Sequence, residues 1–186
     1  MSLFDNIQRT AQNGGSVPQS ADKQSVTFSF ASLPENLAQL QALPEAELTN
    51  PFQAAALTVC ALCVYGADRE KGKEMLNFLK GPKPLSNYEI SFLNDRFRDG
   101  AHVPFSYFQG AVPENDYAPN LPFTITVTAG PYADANPGYK KLHIASGGAD
   151  NPREVVLRQK GDGQWLLWEQ FLMVGIRQPK SADPWA

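Results

Sequence analysis

The segment from residue 50 to residue 65 constrains the fold of this chain more than any other. It opens with Asn50, a residue type that caps helix N-termini, and with Pro51, which is favoured at the first helical position. Nearly every position from there to Tyr65 is apolar or small. A helix that is apolar on all sides must be surrounded by protein, so we expect it to form the centre of the fold. Gly66 is predicted to end it.

Signals for three more helices flank this segment. A first helix is predicted to begin with Pro34 at its first position. Asp68 is predicted to cap a second helix, which Gly81 ends, and Ser86 with Glu89 has the pattern of a capping box that starts a third. Apolar residues recur at helical spacing in each of them: Leu37, Leu40 and Leu43; Met75, Leu76 and Leu79; Ile90, Leu93 and Phe97.

The remainder of the chain has the patterns of strands and turns. Alternation of apolar and polar residues, or apolar runs between turn signals, predicts strands over residues 25–31, 123–128, 139–145, 154–160, 164–169 and 172–177. Between the fourth and fifth of these, Gly161-Asp162-Gly163 predicts a tight hairpin turn. Within the fifth, alternation places Trp165 and Leu167 on one face and Leu166 and Trp168 on the other.

The order of these elements predicts the fold class. One strand is followed by helices and then by consecutive strands with hairpin-length connections, without regular βαβ units. This order is typical of an α+β protein. We expect helices in the N-terminal half to pack on one face of a mostly antiparallel sheet that is formed largely by the C-terminal half.

The chain divides into a short arm and one domain. Residues 1–24 are predicted to form a flexible N-terminal arm, with Leu3, Phe4 and Ile7 on one short amphipathic turn. Such an arm either folds back on its domain or docks on a partner. Residues 25–186 are predicted to form a single α+β domain, since 186 residues fall within the usual size of one domain.

Charge and cysteine content exclude several classes of protein. The formal net charge is -3, from 16 Lys+Arg against 19 Asp+Glu, which predicts no nucleic-acid partner. Two cysteines cannot form the disulfide framework of a small secreted protein, and no signal-peptide pattern opens the chain, so we expect a cytoplasmic location. The longest apolar run, residues 54–65, is too short to span a bilayer, which predicts no membrane association.

The spacing of Cys60 and Cys63 matches a C-x-x-C motif, which in other contexts serves redox exchange or zinc binding. Both residues fall near the end of the predicted buried helix, where the helix dipole disfavours a thiolate. A structural role as small buried side chains is therefore favoured. We expect no catalytic residue, no metal site and no cofactor.

Two sets of residues are the candidates for binding. The polar side chains predicted to line a pocket between helices and sheet are Arg96, His102, Tyr107 and Glu169. The aromatic side chains predicted to contact a partner are Trp168 and Trp185. For the histidine, a solvated surface role is the more common alternative.

Three functions fit these observations. The first is a non-catalytic protein-binding or assembly module, favoured by the surplus of aromatic residues and by the missing catalytic motif. The second is a small-molecule-binding protein or an unrecognised enzyme, with a pocket between helices and sheet. The third is a self-associating structural protein that pairs through the edge strands of its sheet. The sequence favours the first and leans against an enzyme.

Several segments look like parts of one bacterial family. These are Asn50-Pro51-Phe52 with Ala54-Ala55-Ala56-Leu57, the run from Glu74 to Pro82, the run from Val103 to Phe108, the run from Gly163 to Leu172 and the closing Asp183-Pro184-Trp185. Together they resemble an uncharacterised family of small proteins from clostridia and related gut Firmicutes. The resemblance extends over most of the chain and implies a bacterial cytoplasmic protein. It assigns no functional residues.

Overall fold

The computed structural model describes residues 24–186. Within them the chain forms five strands and four α-helices: β1 Gln24–Phe30, α1 Leu37–Gln41, α2 Pro51–Ala67, α3 Arg69–Lys80, α4 Asn87–Arg96, β2 Phe123–Ala129, β3 Tyr139–Ile144, β4 Arg153–Gln159 and β5 Trp165–Gln170. Residues 1–23 of the predicted arm lie outside the described residues, and the last residue of that arm, Gln24, belongs to β1.

The strands form one antiparallel sheet in the order β1-β2-β3-β4-β5. The N-terminal strand β1 joins this sheet by pairing with β2, with Gln24 opposite Ala129 and Phe30 opposite Phe123. Helix α2 packs against β2, β3, β4 and β5, and α3 packs against α2 and β5. The predicted α+β class, with helices followed by a mostly C-terminal antiparallel sheet, is confirmed.

Helix α2 is the centre of the core, as its sequence predicts. Asn50 caps it, with the side chain of Gln53 closing a capping box, and Pro51 takes the first helical position. The predicted end at Gly66 is wrong, because the helix continues to Ala67. Gly66 instead marks a close contact, since a Cβ atom there would lie 3.1 Å from the ring of Phe97.

The helix starts follow side-chain caps. In α1 the side chain of Asn36 accepts a hydrogen bond from the backbone N–H of Gln39 at 2.9 Å, so the predicted start at Pro34 is wrong. Asp68 caps α3 as predicted, and Gly81 ends α3 with a positive φ of 62°. The capping box that starts α4 is formed as predicted.

The predicted strand over residues 172–177 is wrong. This segment is a loop, and the guanidinium of Arg153 holds it by donating to the backbone carbonyls of Val174 and Gly175, both at 2.7 Å. Leu172 and Met173 are buried beneath the loop. An apolar pattern alone does not separate such a packed loop from a short strand.

Strand β5 contains a β-bulge, which lies after Trp165, Leu166 and Leu167, and these three residues pair with β4 in regular register. Val156 of β4 pairs with Glu169, but the next residue of β4, Leu157, pairs with Leu167. Trp168 is therefore the extra residue of the bulge. Leu167 lies opposite the buried Leu157 on the core face. Leu166 lies opposite the exposed Arg158 and is buried next to Gly81, and Trp168 is partly exposed.

Candidate functional site

An apolar groove of about 420 Å³ lies between α4 and the end of β5 with the loop that follows it. Its apolar lining comes from four elements and includes Leu62 of α2, Leu76 of α3, Phe92 and Leu93 of α4, and Leu167 of β5. We call it the apolar groove. Since it is shaped by the facing sides of packed helices and a strand, its walls are parts of the fold's rigid framework.

Two aromatic side chains are exposed where the apolar groove meets solvent. Tyr88 of α4 is 80% exposed, and Phe171, directly after β5, is 41% exposed. Both line the groove. Large apolar side chains at the rim of an apolar depression are typical of binding surfaces.

An ion pair between the buried Lys80 and the partly exposed Glu89 forms one wall of the apolar groove. The side chain of Lys80 is only 4% exposed, and its Nζ donates to Glu89 Oε1 at 2.7 Å and to the backbone carbonyl of Trp168 at 3.3 Å. An ammonium group carries three hydrogens, so these two bonds leave one for a further acceptor. Lys80 thus adds a positive, hydrogen-bonding group to an otherwise apolar wall.

The same pair ties the groove to the start of α4. Glu89 Oε2 accepts from the backbone N–H of Ser86 at 2.7 Å, so one carboxylate serves both the ion pair and the capping box. Partial burial tends to raise the pKa of Glu89, but the hydrogen bonds from Lys80 and Ser86 outweigh it and lower that pKa. Glu89 is therefore held as a carboxylate.

A second depression, of about 340 Å³, surrounds Trp168. Lys83 Nζ lies 4.4 Å from the centroid of a Trp168 ring and Arg158 Cζ lies 4.8 Å from it, both at cation–π distance. Tyr139 meets Trp168 edge-on, with ring centroids 5.6 Å apart. We call Lys83, Arg158, Lys160 and Trp168 the cationic surface.

The cationic surface is short of acidic groups. Lys160 pairs with Asp162 at 3.1 Å, whereas within residues 24–186 neither Lys83 nor Arg158 has a carboxylate within salt-bridge distance. Lys80 and Leu167 line both this depression and the apolar groove. The two depressions are therefore neighbours, separated by these two buried residues.

The four polar residues predicted to line a pocket occupy different places. Glu169 lines the apolar groove. Arg96 and His102 line a separate polar depression of about 330 Å³ next to the end of α4. Tyr107 is buried, and its hydroxyl donates to the backbone carbonyl of Leu172. The structure thus brings Arg96 and His102 together and places the other two elsewhere.

His102 is the most unusual of these side chains. Its ring stacks on Tyr117, with centroids 5.2 Å apart, and its Nε2 atom is buried without a hydrogen-bond partner among the described residues. Burial lowers the pKa of His102, and the Arg177 backbone and the Asp99 carboxylate offset this only in part.

The two tryptophans predicted to contact a partner differ in exposure. Trp168 is partly buried within the cationic surface, and Trp185 is 92% exposed. Trp185 donates its backbone N–H to Asp183 at 2.9 Å, but its ring lies in solvent.

The cysteines are buried and unpaired. Burial raises the pKa of Cys60 to about 12, and it raises the pKa of Cys63 well above its usual value. Neither thiol forms a thiolate at neutral pH, which fits small core side chains. Over the described part of the chain there is no group of three or more metal-ligating side chains, and no helix is long and apolar enough to cross a membrane.

Sequence reasoning missed the residues that define this surface. Lys80 carries a signal that could have revealed it, because it follows Leu76 by four residues on the inward face of α3. Lys83 and Arg158 carry no such signal, since only the packing of the α3–α4 turn on the β4–β5 hairpin brings them together.

Comparison with known proteins identifies one match. A family model described as a domain of unknown function, DUF6935, matches residues 32–180. No curated protein and no solved structure matches the chain. The matched span includes the whole of the apolar groove and the cationic surface.

Proposed function

Since the chain belongs to the DUF6935 family, whose function is unknown, we propose its function from the geometry of its surface. The protein is a non-catalytic protein-binding module that holds an acidic, apolar segment of a partner protein. The observation that supports this proposal is that the apolar groove and the cationic surface lie next to each other, with Lys80 and Leu167 lining both depressions.

The apolar groove supports the first half of the proposal. Its lining offers aliphatic and aromatic contacts from four elements, and Tyr88 and Phe171 stand exposed at its rim. Aromatic side chains are enriched among the residues that contribute most to protein–protein affinity. An apolar side chain of the partner would bury the exposed rings and gain the free energy of apolar burial.

The cationic surface supports the second half. Lys83 and Arg158 flank Trp168 without a carboxylate of their own among the described residues, in a chain whose formal net charge is -3. Local charge of a sign opposite to the net charge favours a partner segment that brings carboxylates. Lys80 adds a positive charge beneath the junction of the two depressions.

The test is selection of short random peptides displayed on phage against the full chain. We expect enriched peptides to combine Leu, Phe or Trp with Asp or Glu. For one enriched peptide, calorimetric affinity should fall about tenfold or more in Phe171→Ser and in the charge reversal Arg158→Glu. Tyr132→Ser and Lys180→Glu are matched controls, because both residues are exposed and neither lines the groove or the cationic surface.

Peptides without acidic residues, or affinities that the two site variants leave unchanged, would contradict the proposal. Equal losses in the control variants would show a general effect of charge or folding rather than a site. Circular dichroism of each variant checks that its fold is intact.

A second candidate function is binding of a small organic ligand in the apolar groove. A volume of about 420 Å³ falls in the range of small-molecule sites, and Lys80 supplies a fixed polar group in an apolar setting. Native mass spectrometry of freshly purified protein tests this. A bound mass that Phe92→Ser loses would favour the small ligand, and an unliganded mass would leave the peptide proposal preferred.

We also propose a bacterial, cytoplasmic setting, with no nucleic-acid partner. The resemblance to proteins of clostridia and related Firmicutes supports the origin, and two unpaired cysteines are consistent with a reducing compartment. Fluorescence microscopy of a tagged protein in such a bacterium would test the location.

A further inference from the structure

Strand β1 forms one edge of the sheet. It pairs with β2 on one side, and among residues 24–186 no strand pairs with its other side. Ser25, Thr27 and Ser29 are exposed, and Val26 and Phe28 are half-buried against the core. An edge strand of this kind presents unpaired backbone N–H and C=O groups, with which a strand of another molecule can form hydrogen bonds.

The hydrogen bonds of β2 show which groups of β1 face outward. The carbonyl of Thr124 accepts from the backbone N–H of Gln109 at 2.8 Å, on the side of β2 away from β1. Since backbone groups alternate sides along a strand, Thr124 does not exchange backbone bonds with its partner Ser29. The same holds for the pairs two and four residues along, Thr27 with Thr126 and Ser25 with Thr128. The N–H and C=O groups of Ser25, Thr27 and Ser29 therefore point to the open edge.

Side-chain hydrogen bonds agree with this assignment. The hydroxyl oxygens are 3.0 Å apart for Ser25 and Thr128, 2.8 Å for Thr27 and Thr126, and 3.2 Å for Ser29 and Thr124. Side chains approach each other most closely in the pairs that do not exchange backbone bonds.

The described residues protect the opposite edge of the sheet but not the open edge of β1. On β5 the backbone N–H of Trp165 donates to the carbonyl of Leu48 at 2.9 Å, and Lys80 donates to the carbonyl of Trp168. A bulge further distorts β5. Strand β1 has seven residues without lysine, proline or a bulge, so it lacks the usual devices that prevent pairing between molecules.

The sequence of β1 is symmetric in residue type about its centre. Ser25-Val26-Thr27-Phe28-Ser29 reads as hydroxyl, apolar, hydroxyl, apolar, hydroxyl in either direction. A two-fold axis brings a surface onto its own copy, so a symmetric strand is suited to pair antiparallel with itself.

We infer that two copies of this chain pair through β1 about a two-fold axis at Thr27. Thr27 then exchanges both backbone bonds with Thr27 of the second copy, and Ser25 exchanges both with Ser29 of the second copy. On one face, the rows of Ser and Thr hydroxyl groups of β1 and β2 in the two copies then become continuous. On the other face Val26 lies opposite Phe28 of the second copy, which covers the half-buried apolar edge of each core.

Sedimentation velocity of the full chain over a range of concentrations tests this dimer. Because one strand gives a small contact, we expect a monomer–dimer equilibrium that depends on concentration. Thr27→Pro removes the outward N–H without removing a bond to β2, and it should raise the dimer dissociation constant about tenfold or more. Thr126→Val is the matched control, since it removes a hydroxyl of the same ladder from β2 and leaves the edge intact.

A proximity measurement tests the register. Pyrene attached to Thr27→Cys should give excimer fluorescence at dimer concentrations, because the two labels sit at the axis. The same label on Asp162→Cys, in the β4–β5 turn, should not. Cys60 and Cys63 are buried and do not compete for the reagent.

Amide hydrogen exchange distinguishes pairing of β1 with a second copy from pairing of β1 with another segment of the same chain. Protection of the Ser25, Thr27 and Ser29 amides should rise with protein concentration. A monomer at every concentration overturns the proposal, and protection in that monomer assigns the edge to another segment of the same chain. A dimer that survives Thr27→Pro and gives no excimer also overturns it.

Discussion

At the scale of single residues, we expect Lys80 to be the side chain whose loss of its ionic partner would destabilise the fold most. Its side chain is buried, and among residues 24–186 the carboxylate that pairs with it is that of Glu89, at 2.7 Å. Removing one partner of a buried pair leaves an uncompensated charge, which costs more than the pair itself contributes. The wall of the apolar groove therefore depends on Glu89 as a carboxylate.

We predict that Glu89→Gln destabilises the fold by about 2 kcal/mol near pH 7, less than for a fully buried pair because Glu89 is 36% exposed. The folded-state pKa of Glu89 is lowered, so its contribution is present above the unfolded-state pKa and is lost as pH falls through the folded-state pKa. Urea unfolding from about pH 7 to about pH 3 should show that the difference in unfolding free energy between wild type and Glu89→Gln stays constant down to about pH 5 and shrinks below it. Glu74→Gln, at an exposed position of α3, is the control and should change little at either pH.

The cysteines give a second prediction. Since burial raises the pKa of both thiols, neither Cys60 nor Cys63 should react with Ellman's reagent in the folded protein at about pH 8. Both should react after unfolding in guanidinium. Rapid reaction of one thiol in the folded state, at a rate independent of unfolding, would restore a chemical role for the C-x-x-C spacing.

At the scale of elements, a glycine sets the distance between α2 and α3. A Cβ atom at Gly72 would lie 2.3 Å from Cα and 2.5 Å from the backbone nitrogen of Tyr65. Tyr65 lies in the last turn of the buried helix α2, where close packing leaves its backbone atoms little room to move aside. The close contact of the two helices depends on this missing side chain.

We predict that Gly72→Ala lowers stability by about 3 kcal/mol, although alanine ordinarily favours a helix over glycine. The loss would appear as a lower Tm in thermal unfolding followed by circular dichroism. Gly161→Ala is the control, because a Cβ atom there meets nothing within 4 Å. A Gly72→Ala protein as stable as wild type would show that α2 and α3 can separate at little cost.

Local signals account for most of the elements that were predicted correctly. The caps Asn50, Asp68 and Ser86 lie next to the helices they start, and the alternation of β2 follows from its own residues. The errors have non-local causes. The Arg153 side chain holds the segment after β5 as a loop, and the bulge at Trp168 arises where β5 pairs with β4. Neither cause is visible within the segment itself.

At the scale of the whole molecule, helices and sheet share one apolar core. Buried side chains of α2, such as Leu57 and Leu62, belong to the same cluster as Ile125 of β2 and Leu157 of β4. Elements that share a core lose their packing together, so we propose that residues 25–186 behave as a single domain.

We predict a single cooperative unfolding transition. Far-ultraviolet circular dichroism, which follows mainly the helices, and tryptophan fluorescence, to which Trp165 and Trp168 of β5 contribute, should give coincident urea curves. Separate midpoints for the two signals would mean that helices and sheet unfold as independent units.

The candidate site is formed by residues from separate parts of the chain that meet only in the whole folded molecule. For this reason the sequence did not predict it. Lys80, Glu89 and Phe171 come from α3, α4 and the loop after β5, and only the packed fold makes them neighbours. Sequence reasoning chose polar residues with familiar chemistry, and of those only Glu169 lines the apolar groove. The pocket was expected between helices and sheet, and the groove does lie between α4 and β5.

The pairing of the first strand with the second has a consequence for synthesis on the ribosome. Gln24 lies opposite Ala129, so β1 leaves the ribosome 129 − 24 = 105 residues before its partner is complete. At ordinary translation rates this interval lasts about 5–20 s. During that time β1, a strand without charged residues, waits in the nascent chain without its partner β2. Polysomes place neighbouring nascent chains side by side, so the seven residues of β1 are the segment on which chaperones and co-translational assembly would act first.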